Sequence, residues 1–534
     1  MRSLPTLDLT VIVLYLGAML LVGWYFSRKN KNAEQFTKAS GKIPGWAIGI
    51  SIYATFLSSN TFLGVPGKTF GGNWSAFVFS ISMPFAAWIA SKYFVPFYRN
   101  TGEISAYTHL EHRFGAWART YAVVCFLLTQ LARMGSIFFG VALTLQALTG
   151  YSMKMIILCM GICIIIYTVL GGIEAVIWTE VGQGIVKTFG AFLILYLIII
   201  NMPGGVSKIT AIGLHDQKFG LGSFAINFQE PTFWVVLLYG FFINLNNFGM
   251  DQNYVQRYHT ASSSKQAVKS IWLCVVLYVP VSLLFCIIGS ALYAFYQVHP
   301  ELTEAIRHQA AAEHLPANAT ASQIANLAAN LSPADYGDKI MPNFMITKIP
   351  AGLVGLIISA ILSAAMSTIS SGMNASATVF SVDIYKRYFK PGINEKQTLW
   401  LLHTATVVAG VAGVAAGIAM IGVKSVLDVW WQLSGIFAGG MLGLFLLGMI
   451  SRQTRNHEAL VATIVGILVI LWMTLSVLLP EQYATFRNQL HQNMIIVVGT
   501  LTIFLVGVIL TKLRQKQNPI ATVNHQNPVE KHIY

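Results

Sequence analysis

The chain has 534 residues, 55% of them hydrophobic and only 10% charged, with a formal net charge of +14 and a mean hydropathy of +0.62. Soluble domains carry about 25% charged residues, so this composition excludes a soluble protein. It points to an all-α polytopic membrane protein with about thirteen apolar runs, each long enough to cross the hydrocarbon core.

The first run, 7–27, lacks a basic start and a cleavage site. It therefore reads as a retained helix rather than a signal peptide. The second, 44–71, contains the polar stretch Tyr53 to Thr61, followed by Gly64, Pro66 and Gly67. The third spans 74–98. The fourth, 118–148, carries Arg133 near its centre. A guanidinium there costs at least about 2.5 kcal/mol on insertion scales. Either it meets the carboxylate of a transported substrate, or it pairs structurally with another helix. The fifth and sixth spans are 153–171 and 178–201. Glu180, near the start of the sixth, could ligate a cation, carry a proton, or be an interfacial carboxylate.

The seventh span, 232–256, contains Asn244-Leu-Asn-Asn-Phe-Gly249. Polar and glycine clusters at membrane depth suit unwound helix lining a cavity. Interruptions at corresponding places in the second and seventh spans imply two inverted five-helix repeats, 44–201 and 232–450. The eighth span is 268–297. A long external loop, 299–345, follows, with a surface helix expected over its AIRHQAAAEHL stretch. The ninth span, 346–386, holds Ser367, Ser370 and Ser371, three and four apart on one helix face. Their hydroxyls suit either a Na⁺ site, because hard cations take oxygen ligands, or close helix packing. Asp251 and Asp383 sit near span ends, where structural ion pairing is equally expected. The last spans are 397–422, 425–450, 457–480 and 490–512; a cytoplasmic tail is expected over 519–534.

The basic excess falls on alternate connections, among them Arg28, Lys29 and Lys31; Lys92, Arg99, Arg113 and Arg119; and Arg257, Lys265 and Lys269. This is the positive-inside pattern. It places the N-terminus outside and the C-terminus in the cytoplasm, and it argues against nucleic acid as a partner. No metal cluster, phosphate loop or catalytic constellation stands out, so no catalytic residue and no enzymatic activity are expected.

Three stretches carry a family resemblance: GKIPGWAIGISIYATFLSSNTFLGVPGKTF (41–70), YTVLGGIEAVIWTEVGQG (167–184) and LSAAMSTISSGMNASATVFSVDIY (362–385). Together they resemble the sodium:solute symporter family over most of the chain. Within it, Leu57 to Phe62 with Pro66 and Lys68, Arg133, and Asp251 to Tyr258 are most similar to bacterial sodium/sialic acid symporters. The resemblance implies a leucine-transporter-like fold with broken second and seventh helices and alternating access. It implies a Na⁺ site on Ala54, Leu57, Ser367, Ser370 and Ser371, with Glu180 at a second Na⁺ site. It also implies that Arg133 holds the sialate carboxylate and that Ser58 and Thr61 hydrogen-bond the sugar. Phe56, Phe77, Phe79, Ser80 and Asn244 are further candidates for the substrate site. Ser80 stands where sialic acid symporters carry glutamine, Phe56 where they carry threonine, and Glu180 where they carry aspartate.

The expected function is Na⁺-coupled import of sialic acid (N-acetylneuraminate) across the cell membrane. The alternatives are Na⁺-coupled transport of another sugar, a monocarboxylate or proline, and a membrane solute sensor.

Overall fold

The computed structural model of the protein describes residues 5–27, 32–39, 41–315, 319–423 and 426–517. Arg28, Lys29, Lys31 and the tail expected at 519–534 lie outside these residues. The regular structure is helical throughout the described residues, apart from one isolated bridge between Ile43 and Ala261.

In chain order, the helices that build the site begin with α1 (Thr6–Ser27), α2 (Gly45–Phe56), α3 (Val65–Gly71) and α4 (Trp74–Thr101). Then come α5 (Thr108–Phe114), α6 (Ala116–Thr149), α7 (Met153–Asn201), α8 (Phe233–Gly249) and α9 (Gln252–Thr260). They are followed by α10 (Ser264–Val298), α11 (Pro333–Lys348), α12 (Leu353–Val379) and α13 (Glu395–Ala419). Last are α14 (Val426–Ile450), α15 (Asn456–Leu475) and α16 (Met494–Gln517).

Ten helices of the described residues are long and apolar enough to cross a membrane, and two bent pairs supply two more crossings. The pairs are α2 with Asn60–Gly71, bent by 56°, and α8 with α9, bent by 45°. At 49 residues, α7 is far longer than one crossing needs. It is interrupted at Gly172 (φ 58°, ψ −168°), a backbone shape that suits glycine. Counting α7 as two crossings gives the thirteen that the sequence predicts. The ninth crossing starts at Leu353 rather than near 346, because α11 is a separate helix of the 299–345 region. That region also holds Pro300–His314, which covers the surface helix expected there, and Ala321–Asn330.

α12 is the most enclosed crossing, 89% buried over its apolar window, whereas α1 is 17% buried. Small residues allow this enclosure. A Cβ on Gly190 of α7 would lie 2.3 Å from Ala360 Cβ of α12, so the two backbones approach closely there.

α1 is docked by one carboxylate. Asp8 is buried, and its Oδ1 accepts from the backbone N–H groups of Gly352 (2.7 Å) and Gly355 (2.6 Å). These are donors at the start of α12 that have no carbonyl of their own helix to bond, and an anion suits that end of a helix dipole. Asp8→Ala is expected to lower stability by about 2 kcal/mol. Asp8→Asn, which keeps an acceptor, should lose less. Thermal melting of the purified protein in detergent measures both.

Candidate functional site

The break after α2 makes the site. The helix stops at Phe56, and Leu57 leaves helical geometry (φ −82°, ψ 81°). The last carbonyls of a helix have no intrahelical donor, and the dipole makes that end attractive to cations. Ser367 Oγ of α12 donates to Ala54 O (3.0 Å), and Thr368 Oγ1 donates to Thr55 O (3.1 Å). Lys187 of α7 fills the remaining space. Its Nζ donates to Ala54 O (2.5 Å), Leu57 O (2.9 Å) and Ser367 Oγ (2.9 Å). The Lys187 side chain is fully buried. Gly184, one turn earlier on α7, brings the helix close: a Cβ there would lie 3.0 Å from Ile50 of α2.

The expected Na⁺ ligands therefore divide. Ala54, Leu57 and Ser367 converge on one point, and that point holds the Lys187 ammonium. Their three neutral oxygens suit a hard monovalent cation, and the ammonium already uses them. Ser370 Oγ donates instead to Ser367 O (3.2 Å). Ser371 joins the group around Glu180.

Glu180 is fully buried and ion-paired with Arg257 of α9, whose Nη2 lies 2.7 and 2.9 Å from its two oxygens. Arg257 Nε donates to Ser51 Oγ (2.8 Å), and Nη2 also reaches Ser371 Oγ (2.6 Å) and Thr55 Oγ1 (3.1 Å). Ser51, Thr55 and Ser371 in turn donate to Glu180. Glu180, the residue expected at a second Na⁺ site, is thus ion-paired with a guanidinium. The sequence pattern places Arg257 on a basic loop, whereas the structure buries it at a junction of α2, α7, α9 and α12.

Beyond the break lies a cavity lined by Phe56, Ser58, Thr61, Phe79, Ser80, Arg133, Asn247, Tyr254, Trp430 and Trp431, among others. Arg133 Nη2 pairs with Asp251 Oδ2 (3.1 Å), and the guanidinium lies 5.0 Å over the Trp430 ring. Asp251 sits in the break between α8 and α9 and caps α9 through Asn253 N (2.9 Å). The structural pairing foreseen for Arg133 is thus present, yet its Nη1 is buried without a hydrogen-bond partner. Phe56 stacks on Tyr254 (4.5 Å, 30°), and Ser80 donates to Ser282 (2.6 Å).

Two candidates need correction. Of the three phenylalanines expected as walls, Phe56 and Phe79 line the cavity, whereas Phe77 packs against the hydrophobic core and is not among the cavity-lining residues. Asn244 Nδ2 donates to Phe79 O (3.3 Å) and Ser82 Oγ (3.1 Å), tying α8 to α4, while Asn247 faces the cavity. Asn244 and Asn247 sit in one polar cluster, and only the rotation of α8 decides which of them lines the site. Sequence reasoning passed over Lys187 altogether. The signal was present, since an ionisable residue inside an apolar span marks function by default.

The chemistry available is binding rather than catalysis: a half-paired guanidinium for an anion, hydroxyls and an amide for a polar solute, and a cradle of oxygens for a cation. Breaking a buried ion pair from one side costs about 3–5 kcal/mol, because the partner charge is left behind. Arg257→Ala is therefore expected to be strongly destabilising. The double change Arg257→Ala with Glu180→Gln should recover part of that loss in thermal melting.

The model of the sodium:solute symporter family matches residues 36–466. The chain is 33% identical to the sodium/sialic acid symporter NanT of Aliivibrio fischeri, over 95% of this chain and 93% of that one. It is 31% identical to the sodium/sialic acid symporter SiaT of Proteus mirabilis, covering 95% of each. Its fold superposes with a TM-score of 0.81, at 31% identity, on a substrate-bound outward-open Na⁺-coupled sialic acid symporter, covering 95% of this chain and 98% of that one. It also shares its fold, at a TM-score of 0.57 and 14% identity, with the nucleobase-cation-symport-1 family transporter Mhp1 over 90% of this chain and 95% of that one. With its broken helices, its oxygen cradle and a match over most of its length, this chain belongs to the sodium:solute symporter family.

Proposed function

We propose that this chain imports sialic acid with Na⁺ across the cell membrane by alternating access. The observation that carries the reading is Arg133. One end of its guanidinium is held by Asp251, the other is buried without a hydrogen-bond partner, and the residue lines the cavity between the two broken helices. A free N–H edge with its charge fixed in place suits a carboxylate. Ser58 and Thr61 supply hydroxyls on one side of the cavity, and Asn247 supplies an amide. Phe79 stacked near Trp431 (6.0 Å, 17°) offers an apolar wall for a sugar ring. Relatives named as sialic acid symporters support the substrate and its coupling to Na⁺.

In this reading, 44–201 and 232–450 are the two inverted repeats, 7–27 precedes them and 457–512 follows. The basic connections face the cytoplasm, which puts the N-terminus outside and the C-terminus inside. Alternating access then works by opening and closing the cavity from either side. On the cytoplasmic side the closing contacts are Glu180 with Arg257, and Ile43 N–H on Thr260 O (3.1 Å). On the outer side they are Lys68 with Asp428, with Lys68 lying 5.0 Å over the Trp431 ring.

The test is uptake of labelled sialic acid into proteoliposomes under an inward Na⁺ gradient, compared with K⁺. Accumulation with wild-type protein supports the assignment; no uptake in a preparation that accumulates another solute removes it. Arg133→Ala is expected to raise the half-saturating sialic acid concentration by about 10- to 100-fold, the value of one or two charge-assisted hydrogen bonds. Arg133→Lys should keep part of the affinity, because charge remains while the planar fork is lost. Unchanged sialic acid affinity in Arg133→Ala would sink the carboxylate clamp.

A further inference from the structure

Every oxygen that Lys187 contacts at the α2 break is one a cation would use there. Two are backbone carbonyls at the negative end of α2, and the third is a hydroxyl of α12. The side chain is fully buried, and its three ammonium protons match three acceptors. It reaches the spot because Gly184 and Gly190, one turn before and after it on α7, let the helix lie against α2 and α12. These oxygens hold one cation at a time.

We propose that Lys187 is a tethered cation that competes with Na⁺ for the cradle formed by Ala54, Leu57 and Ser367. With the ammonium in place, α7 ties the unwound part of α2 to α12 without an external ion. Na⁺ enters only when the ammonium withdraws. The apparent affinity for Na⁺ is then the intrinsic affinity reduced by the fraction of molecules with the cradle free. This rests on the reading of the chain as a Na⁺-coupled importer, and it assigns to Lys187 control over how much Na⁺ that importer requires.

The test compares wild type with Lys187→Met, of similar length and neutral, and Lys187→Ala, all purified in Na⁺ so that the ion can take the place of the lost ammonium. Two readouts are taken over a Na⁺ titration against K⁺ at constant ionic strength: the melting temperature of the protein in detergent, and sialic acid uptake. The expected result is a melting temperature that responds to Na⁺ in both variants and little in wild type. The half-saturating Na⁺ concentration should fall by at least about tenfold. A variant that is unstable in K⁺ and rescued by Na⁺ supports the proposal equally. The same Na⁺ response in all three proteins, each still stabilised by sialic acid, overturns it. Absence of sialic acid uptake from all three overturns the substrate assignment instead, while the melting titration still decides the role of Lys187.

Discussion

An unwound helix at membrane depth has carbonyl oxygens that neither lipid nor its own backbone can satisfy, and this protein is arranged around that constraint. α2 stops at Phe56 inside the bundle, so the carbonyls of Ala54, Thr55 and Leu57 must find donors elsewhere. They find Ser367 and Thr368 on α12 and Lys187 on α7. Each carbonyl left unsatisfied there would cost several kcal/mol. The glycines of α7 and the small residues of α12 follow from the same need, because donors with short side chains reach α2 only if the backbones nearly touch.

α6 is the strut between the two breaks. Arg133 pairs with Asp251 in the break of α8 and α9, and three residues on, Ser136 Oγ accepts from Asn60 Nδ2 (2.9 Å) just past the break of α2. One face of one helix therefore senses both interruptions. A ligand held by Arg133 touches a residue already bonded to the second break and lies beside Ser58 and Thr61 of the first. These contacts would link a ligand at Arg133 directly to both broken helices.

Much of this architecture was legible in the sequence. Apolar runs give the crossings, and polar clusters at 53–61 and 244–249 mark the bends, because few other arrangements tolerate such residues at that depth. Arg133 was legible for the same reason. What escaped was pairing and rotation. Arg257 and Arg119 look like loop charges that orient the chain, yet Arg257 is buried against Glu180, and Arg119 joins Asp383 (2.5 Å) and Glu111 (2.7 Å). A one-dimensional charge pattern cannot distinguish a topological cation from one folded inward against a carboxylate far along the chain. Helix rotation separates Phe79, which lines the cavity, from Phe77, which does not, and sets Asn247 at the cavity in place of Asn244: an offset of two or three residues moves a side chain from the cavity to a helix contact. Lys187 met the same criterion as Arg133, and its short surroundings of glycine, valine and threonine concealed a role that only the neighbouring break reveals.

The charges around the breaks show why anion and cation binding belong together here. Among the described residues, Lys187, Arg133 and Arg257 are buried with two carboxylates, Asp251 and Glu180, paired against them. With Lys187 protonated the group carries one unbalanced positive charge, and Lys187 is the member whose direct contacts are all neutral oxygens. A carboxylate bound at the free edge of Arg133 would bring the group to neutrality. A Na⁺ added beside the ammonium would do the reverse: two unit charges about 3 Å apart at an effective dielectric near 20 repel by about 5 kcal/mol. On the proposed reading an ion would enter the cradle by displacing the ammonium, and an anionic solute in the cavity would favour whichever cation is there. Coupling between solute and cation thus follows from the charge balance of five buried side chains, and a neutral solute in the same cavity would not engage it.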